Sequence, residues 1–148
     1  MYDDWAVNAI VVAATAVALV ASVLLHYEGL LLTIRGLARL KRHRRITMLY
    51  AITSVMVLHV IQIWLFGCGY WLLLKWPEFG SLGPGYQHFL DAIYFSTVAF
   101  TTVGYGDLTP SGPIRLLAGT ESLTGFVLIA WSASFTFLEM EKYWRPRS

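Results

Sequence analysis

Cysteine is almost missing from this chain, and Cys68 is the only one. It cannot form a disulfide within the chain. It reads as a small apolar residue near the end of a helix rather than half of a bridge between copies. His26, His43, His59 and His88 show no spacing to one another, or to Cys68, that suggests metal ligands. Charge is scarce as well. Asp, Glu, Lys and Arg together make up 14% of the residues, whereas soluble domains carry about 25%. The net charge of +2 is too small to point to a nucleic-acid partner. No third glycine follows Gly104 and Gly106 at dinucleotide-loop spacing, and no strand–helix unit surrounds them, which argues against a nucleotide-binding loop.

What is plentiful is apolar. The chain has 148 residues, enough for one domain, and 57% of them are hydrophobic. Its mean hydropathy is +0.58. Ala6 to Leu25 is an uncharged run of 20 residues, about the length that crosses ~30 Å of hydrocarbon. Ala6, Ala9, Ala13, Ala14, Ala16, Ala18, Ala21 and Ser22 would let this first transmembrane helix approach a neighbour closely. Asp3 and Asp4 precede the run and the basic residues follow it, opposite to the order in a cleaved signal peptide. The same order predicts an extracellular N-terminus.

The basic residues cluster. Arg35, Arg39, Lys41, Arg42, Arg44 and Arg45 fall in one short stretch. On a helical wheel Leu30, Ile34, Leu37 and Lys41 face one way and Arg35, Arg39 and Arg42 the other. His26 to Arg45 is therefore expected as an interfacial amphipathic helix on the cytoplasmic leaflet, where anionic lipids are a possible partner. A voltage-sensing helix is disfavoured. Such a helix needs acidic partners at membrane depth, and Ala6–Leu25 contains none.

Ile46 to Leu74 reads as a second membrane segment whose strongly polar side chains are His59 and Gln62, three residues apart on one face. They are expected to form a packed or hydrogen-bonded pair. Trp64, Tyr70, Trp71 and Trp76 form an aromatic belt toward its outer end. Trp76 to Gln87, with two prolines and three glycines, reads as an outer loop without a helix. His88 to Phe100 is too short to span the bilayer and reads as a re-entrant helix. A third membrane segment is expected over Ile114 to Phe137. It holds Glu121, expected to hydrogen-bond the backbone behind the preceding loop. It also holds Gly125, suited to a gating hinge or to close packing. Ser132, Ala133, Ser134 and Thr136 suit the lining of a wet inner vestibule.

Thr101-Thr102-Val103-Gly104-Tyr105-Gly106-Asp107 lies between the short helix and the third segment. A cation leaving water needs oxygens in place of its hydration shell. A stack of backbone carbonyls from Thr102, Val103, Gly104 and Tyr105, with the Thr102 hydroxyl below, can supply them. Stacking requires alternating dihedrals, which Gly104 and Gly106 accept without Cβ strain. Val103 and Tyr105 then point away from the ion path. One strand gives one carbonyl per layer, so the motif implies four copies, and a chain with one copy implies a homotetramer.

Residues 47–138 resemble the pore domain of the potassium channel superfamily: outer helix, pore helix, filter and inner helix. The resemblance implies K+ sites at Thr102, Val103, Gly104 and Tyr105, supported by Thr101, Gly106 and Asp107. It also implies a hydrogen bond from Asp107 to a pore-helix aromatic, for which Tyr94 is the match. It places the inner-helix glycine at Gly125. Some bacterial members carry a glutamate where this chain has Val98, so their form of inactivation is not implied. The expected fold is an all-α membrane protein with three transmembrane helices, a re-entrant pore helix and a filter loop. Residues 1–46 form an N-terminal helix and basic segment, and 139–148 a short cytoplasmic tail. The expected function is passive, potassium-selective conduction across the plasma membrane, with no enzyme activity and no organic cofactor. A weakly selective cation channel and a non-conducting regulatory subunit are the rival readings. A transporter on the same plan would string four degenerate repeats in one chain.

Overall fold

The computed structural model describes residues 4–40 and 44–144, and among them the regular structure is helical. Helix α1 spans Trp5–Arg39, α2 Arg44–Leu73, α3 Phe89–Phe100 and α4 Arg115–Trp144. Three of these, α1, α2 and α4, are long and apolar enough to cross a membrane. The short α3 packs between α2 and α4, and α1 lies against α2 and α4 on the far side.

Helix α1 corrects the division drawn from the sequence. There is no break between a membrane helix ending near Leu25 and an interfacial helix beginning at His26. One helix of 35 residues runs through the first and on to Arg39 of the second, about 52 Å at 1.5 Å per residue. It starts on an Asp4 cap, whose side chain accepts hydrogen bonds from the Ala6 and Val7 amides. It continues because its buried stripe continues. Val11, Thr15, Ser22, His26, Leu30, Thr33 and Leu37 recur every three, four or seven residues and stay buried to the end. Leu30 and Leu37 therefore dock on protein rather than on a lipid surface, while Ile34, Arg35 and Arg39 are exposed. Lys41 and Arg42 lie outside the described residues; Arg44 opens α2, followed by the exposed Arg45. Of the small residues, Ser22 is buried and Ala14 and Ala18 pack on the core. Ala9, Ala13 and Ala16 face outward.

The α1 stripe is polar where it meets α2 and α4. Gln62 accepts from His59 Nδ1 at 2.9 Å and donates to the Ser22 carbonyl of α1 at 3.1 Å. Its amide nitrogen lies 3.3 Å from His26 Nδ1, and His26 Nε2 lies 3.4 Å from Ser132 Oγ of α4. The two imidazoles stack at 5.5 Å, His26 contacts Trp131 at 5.1 Å, and His59 contacts Phe100 at 5.7 Å. So Gln62 bridges two helices. Ser132 turns toward α1 rather than standing in a vestibule lining.

The loop before α3 is more ordered than its composition suggests. Pro77–Phe79 forms one 3-10 turn with proline at its start, where a missing N–H costs nothing. Ser81 and Ser111 exchange backbone hydrogen bonds at 3.2 and 2.8 Å, and Thr109 N donates to Leu82 O. Chain entering α3 is thus stitched to chain leaving the motif at 101–107. At the other end of α3, Gly125 of α4 meets the helix closely. A Cβ there would lie 2.0 Å from the Phe100 carbonyl oxygen.

Two predictions follow from this packing. Gly125→Ala forces α4 away from the end of α3, and overpacking of this kind costs about 1–3 kcal/mol. Thermal unfolding in detergent should show a lowered midpoint. A second outcome concerns Asp91 in the first turn of α3. Its carboxylate accepts from the Gln87 and His88 amides at 2.8 and 2.7 Å, which holds its pKa below the usual carboxylate value. A depressed folded-state pKa contributes stability above the unfolded-state value and loses it as pH falls through the folded one. The stability gap between wild type and Asp91→Asn should therefore be flat from neutral pH to the ordinary carboxylate range. Below that range it should shrink.

Candidate ion pathway

The motif after α3 is fastened to the helix end by its own amides. Thr101 N donates to Thr97 O at 3.1 Å and Thr102 N to Ala99 O at 3.0 Å. Val103 N and Gly104 N both reach Val98 O, at 3.1 and 3.4 Å. Carbonyls that end α3 without an intrahelical partner thereby receive donors from the next turn of chain. Beyond them the backbone alternates. Thr102, Gly104 and Gly106 have φ of +59°, +59° and +83°, while Val103 and Tyr105 between them do not. The sequence marks two of these three positions by glycine. Thr102 is the one it hides, because a β-branched residue rarely adopts positive φ. Strain of this kind persists only where surrounding structure imposes it, and it concentrates at functional sites.

A side chain at Gly104 or Gly106 would meet nothing within 4 Å in the single chain, so conformation rather than space demands glycine there. Tyr94 Oη donates to Asp107 Oδ2 at 2.8 Å, tying the C-terminal end of the motif back to α3. Thr101 Oγ1 donates to Thr97 O at 2.7 Å. Residues 101–107 are all exposed, with Val103 at 56% and Tyr105 at 73%. The two side chains expected behind the motif are left mostly uncovered by their own chain.

Behind α3 the buried acid finds side chains rather than the backbone partner expected for it. Glu121 is fully buried. Its Oε1 lies 2.5 Å from Ser96 Oγ of α3, and its Oε2 accepts from Tyr70 Oη of α2 at 2.5 Å. Ser96 Oγ also lies 2.7 Å from the Ile63 carbonyl of α2. The Tyr70 ring is packed edge-on against Phe95 at 5.0 Å. Gly125, one turn further along α4, touches the last residue of α3. Ser96, Tyr70 and His26 were not singled out by sequence reasoning as partners. The available signal was a polar atom in an apolar span, which has to bond to a neighbouring helix. Cys68 is a free, exposed thiol.

The arrangement is a short helix held between two spanning helices, with an irregular, strained and exposed segment at its C-terminal end. Comparison with known proteins bears on this arrangement. A segment 49% identical over 37 residues occurs in a hyperpolarization-activated voltage-gated potassium channel of Methanocaldococcus jannaschii, covering 25% of this chain and 18% of that protein. Another, 54% identical over 41 residues, occurs in two-pore potassium channel 1 of Arabidopsis thaliana, covering 27% of this chain and 11% of that protein. The chain thus matches only a small part of the length of these curated relatives. No solved structure gives a significant match. The model of a family described as "Ion channel" matches residues 46–142, which include α3, the alternating segment and most of α2 and α4. This chain is a membrane protein and belongs to the ion-channel family.

Proposed function

We propose that four copies of this chain surround one axis and conduct K+ passively and selectively through residues 102–105. The observation that carries the reading is the alternating backbone, with positive φ at Thr102, Gly104 and Gly106. Alternation at every second residue is the condition for successive carbonyls to face one side and replace water around a dehydrated cation. Carbonyls of Thr102, Val103, Gly104 and Tyr105, with the Thr102 hydroxyl, would form the sites. The exposure of Val103 and Tyr105 supports assembly, since non-helical backbone at membrane depth is tolerated only when wrapped in protein or lining water. The relatives named as potassium channels support the choice of ion.

In this reading the C-terminal end of α3 points its partial negative charge toward a central cavity and stabilises a cation there. Tyr94 and Asp107 brace the outer end. The acidic start and the basic stretch at 35–45 support an N-terminus outside and a C-terminus in the cytoplasm, which is how we read the chain in a plasma membrane. Exposed Arg35, Arg39 and Arg45 then stand at the inner leaflet, suited to anionic lipid headgroups.

Replacing Gly104 by Ala puts a Cβ on a left-handed residue, at about 1–2 kcal/mol of strain in each copy. The purified variant should insert and assemble normally in liposomes yet lose potassium-selective flux. Wild-type-like preference for K+ over Na+ in this variant would contradict the assignment of the filter.

A further inference from the structure

Glu121 is a buried acid whose neighbours do not fit an ionised carboxylate. Ser96 has one hydroxyl hydrogen. Its oxygen lies within hydrogen-bond distance of two atoms, the Ile63 carbonyl at 2.7 Å and Glu121 Oε1 at 2.5 Å. A carbonyl can only accept, and so can an ionised carboxylate. One hydrogen can be centred in only one contact this short, and shared between the two it serves each weakly, so an ionised Glu121 would leave at least one pair of acceptor oxygens facing each other with little proton density between them. Tyr70 does not resolve this, because its hydroxyl hydrogen is directed at Oε2. None of these partners is basic, so nothing among them offsets the cost of a buried charge.

A proton on Glu121 closes the count. Glu121 Oε1–H donates to Ser96 Oγ, Ser96 donates to Ile63 O, and Tyr70 donates to Glu121 Oε2. Three hydrogens then serve three contacts. We propose that Glu121 is held as a neutral carboxylic acid, and that through this proton it acts as a positioning residue for the filter. The chain of bonds joins α4 to α3 through Ser96 and to α2 through Tyr70 and Ile63. Ser96 lies one turn before Phe100, the last residue of α3, and the strained segment begins two residues later at Thr102. A neutral donor fixes the height and rotation of α3 without placing a fixed negative charge behind the ion path. The functional consequence rests on the conduction reading above; the proton count does not.

Infrared spectroscopy of the full chain in liposomes tests the protonation at neutral pH. Wild type should show a protonated-carboxyl C=O band that disappears in Glu121→Gln and moves to higher frequency in Ser96→Ala, where the proton loses its acceptor. A wild-type spectrum in which Glu121→Gln removes only carboxylate bands overturns the proposal. Flux tests the positioning. Glutamine keeps an acceptor for Tyr70 and an N–H donor for Ser96, so Glu121→Gln should retain the wild-type preference for K+ over Na+. Glu121→Ala should lower that preference by about tenfold, the equivalent of one net hydrogen bond. Equal impairment of Gln and Ala variants overturns the positioning role. If wild type itself lacked K+ preference, the filter reading would fail, and the infrared bands would still decide the state of Glu121.

Discussion

Unsatisfied backbone in hydrocarbon is the constraint on which this structure turns. A helix satisfies its own amides and carbonyls; the segment from Thr102 to Gly106 does not. It must be surrounded, and its own chain surrounds it on one side only. Much of the rest of the molecule serves to hold that segment in place. Its first amides bond to the last carbonyls of α3. The far end is tied by Asp107 to Tyr94. The loop before α3 and the chain after the segment are paired through Ser81 and Ser111. Gly125 lets α4 press against the Phe100 carbonyl, so the platform under the segment is backbone against backbone.

Apolar side chains gain little from meeting each other when lipid is the alternative, so polar contacts and small residues carry more of the specificity. The buried groups are distributed accordingly. Glu121, Ser96 and Tyr70 join α4, α3 and α2 at one level. Gln62, Ser22 and His26 join α2 to α1 at another, and Ser132 extends that contact to α4. The first helix is therefore a bonded part of the bundle. His59 touches Phe100 as well, which places the α1–α2 contact one ring away from the end of α3.

The spanning segments, the short helix and the positive φ of Gly104 and Gly106 were legible in the sequence because each is a local signal: hydropathy over a window, length, or a residue type at fixed spacing. Tyr94 and Asp107 were legible as a pair through resemblance to a family. What stayed hidden was non-local or contrary to type. Positive φ at Thr102 is imposed by its neighbours and runs against the preference of a threonine. The partners of Glu121 lie 25 and 51 residues away, and His26 lies 36 residues from Gln62. No helical spacing reveals such pairs. The continuity of α1 past residue 25 was missed because basic residues suggested an interface. The stripe Leu30, Thr33 and Leu37 shows instead that the same face goes on docking against protein.

The central claim is that the strained segment becomes a set of carbonyl cages for K+ when four copies assemble. It is tested most directly by the reversal potential of the purified wild-type chain in a planar bilayer, with K+ on one side and Na+ on the other. The account predicts a reversal potential close to that of a membrane permeable to K+ alone. A potential near zero, with current carried equally by both ions, would contradict it.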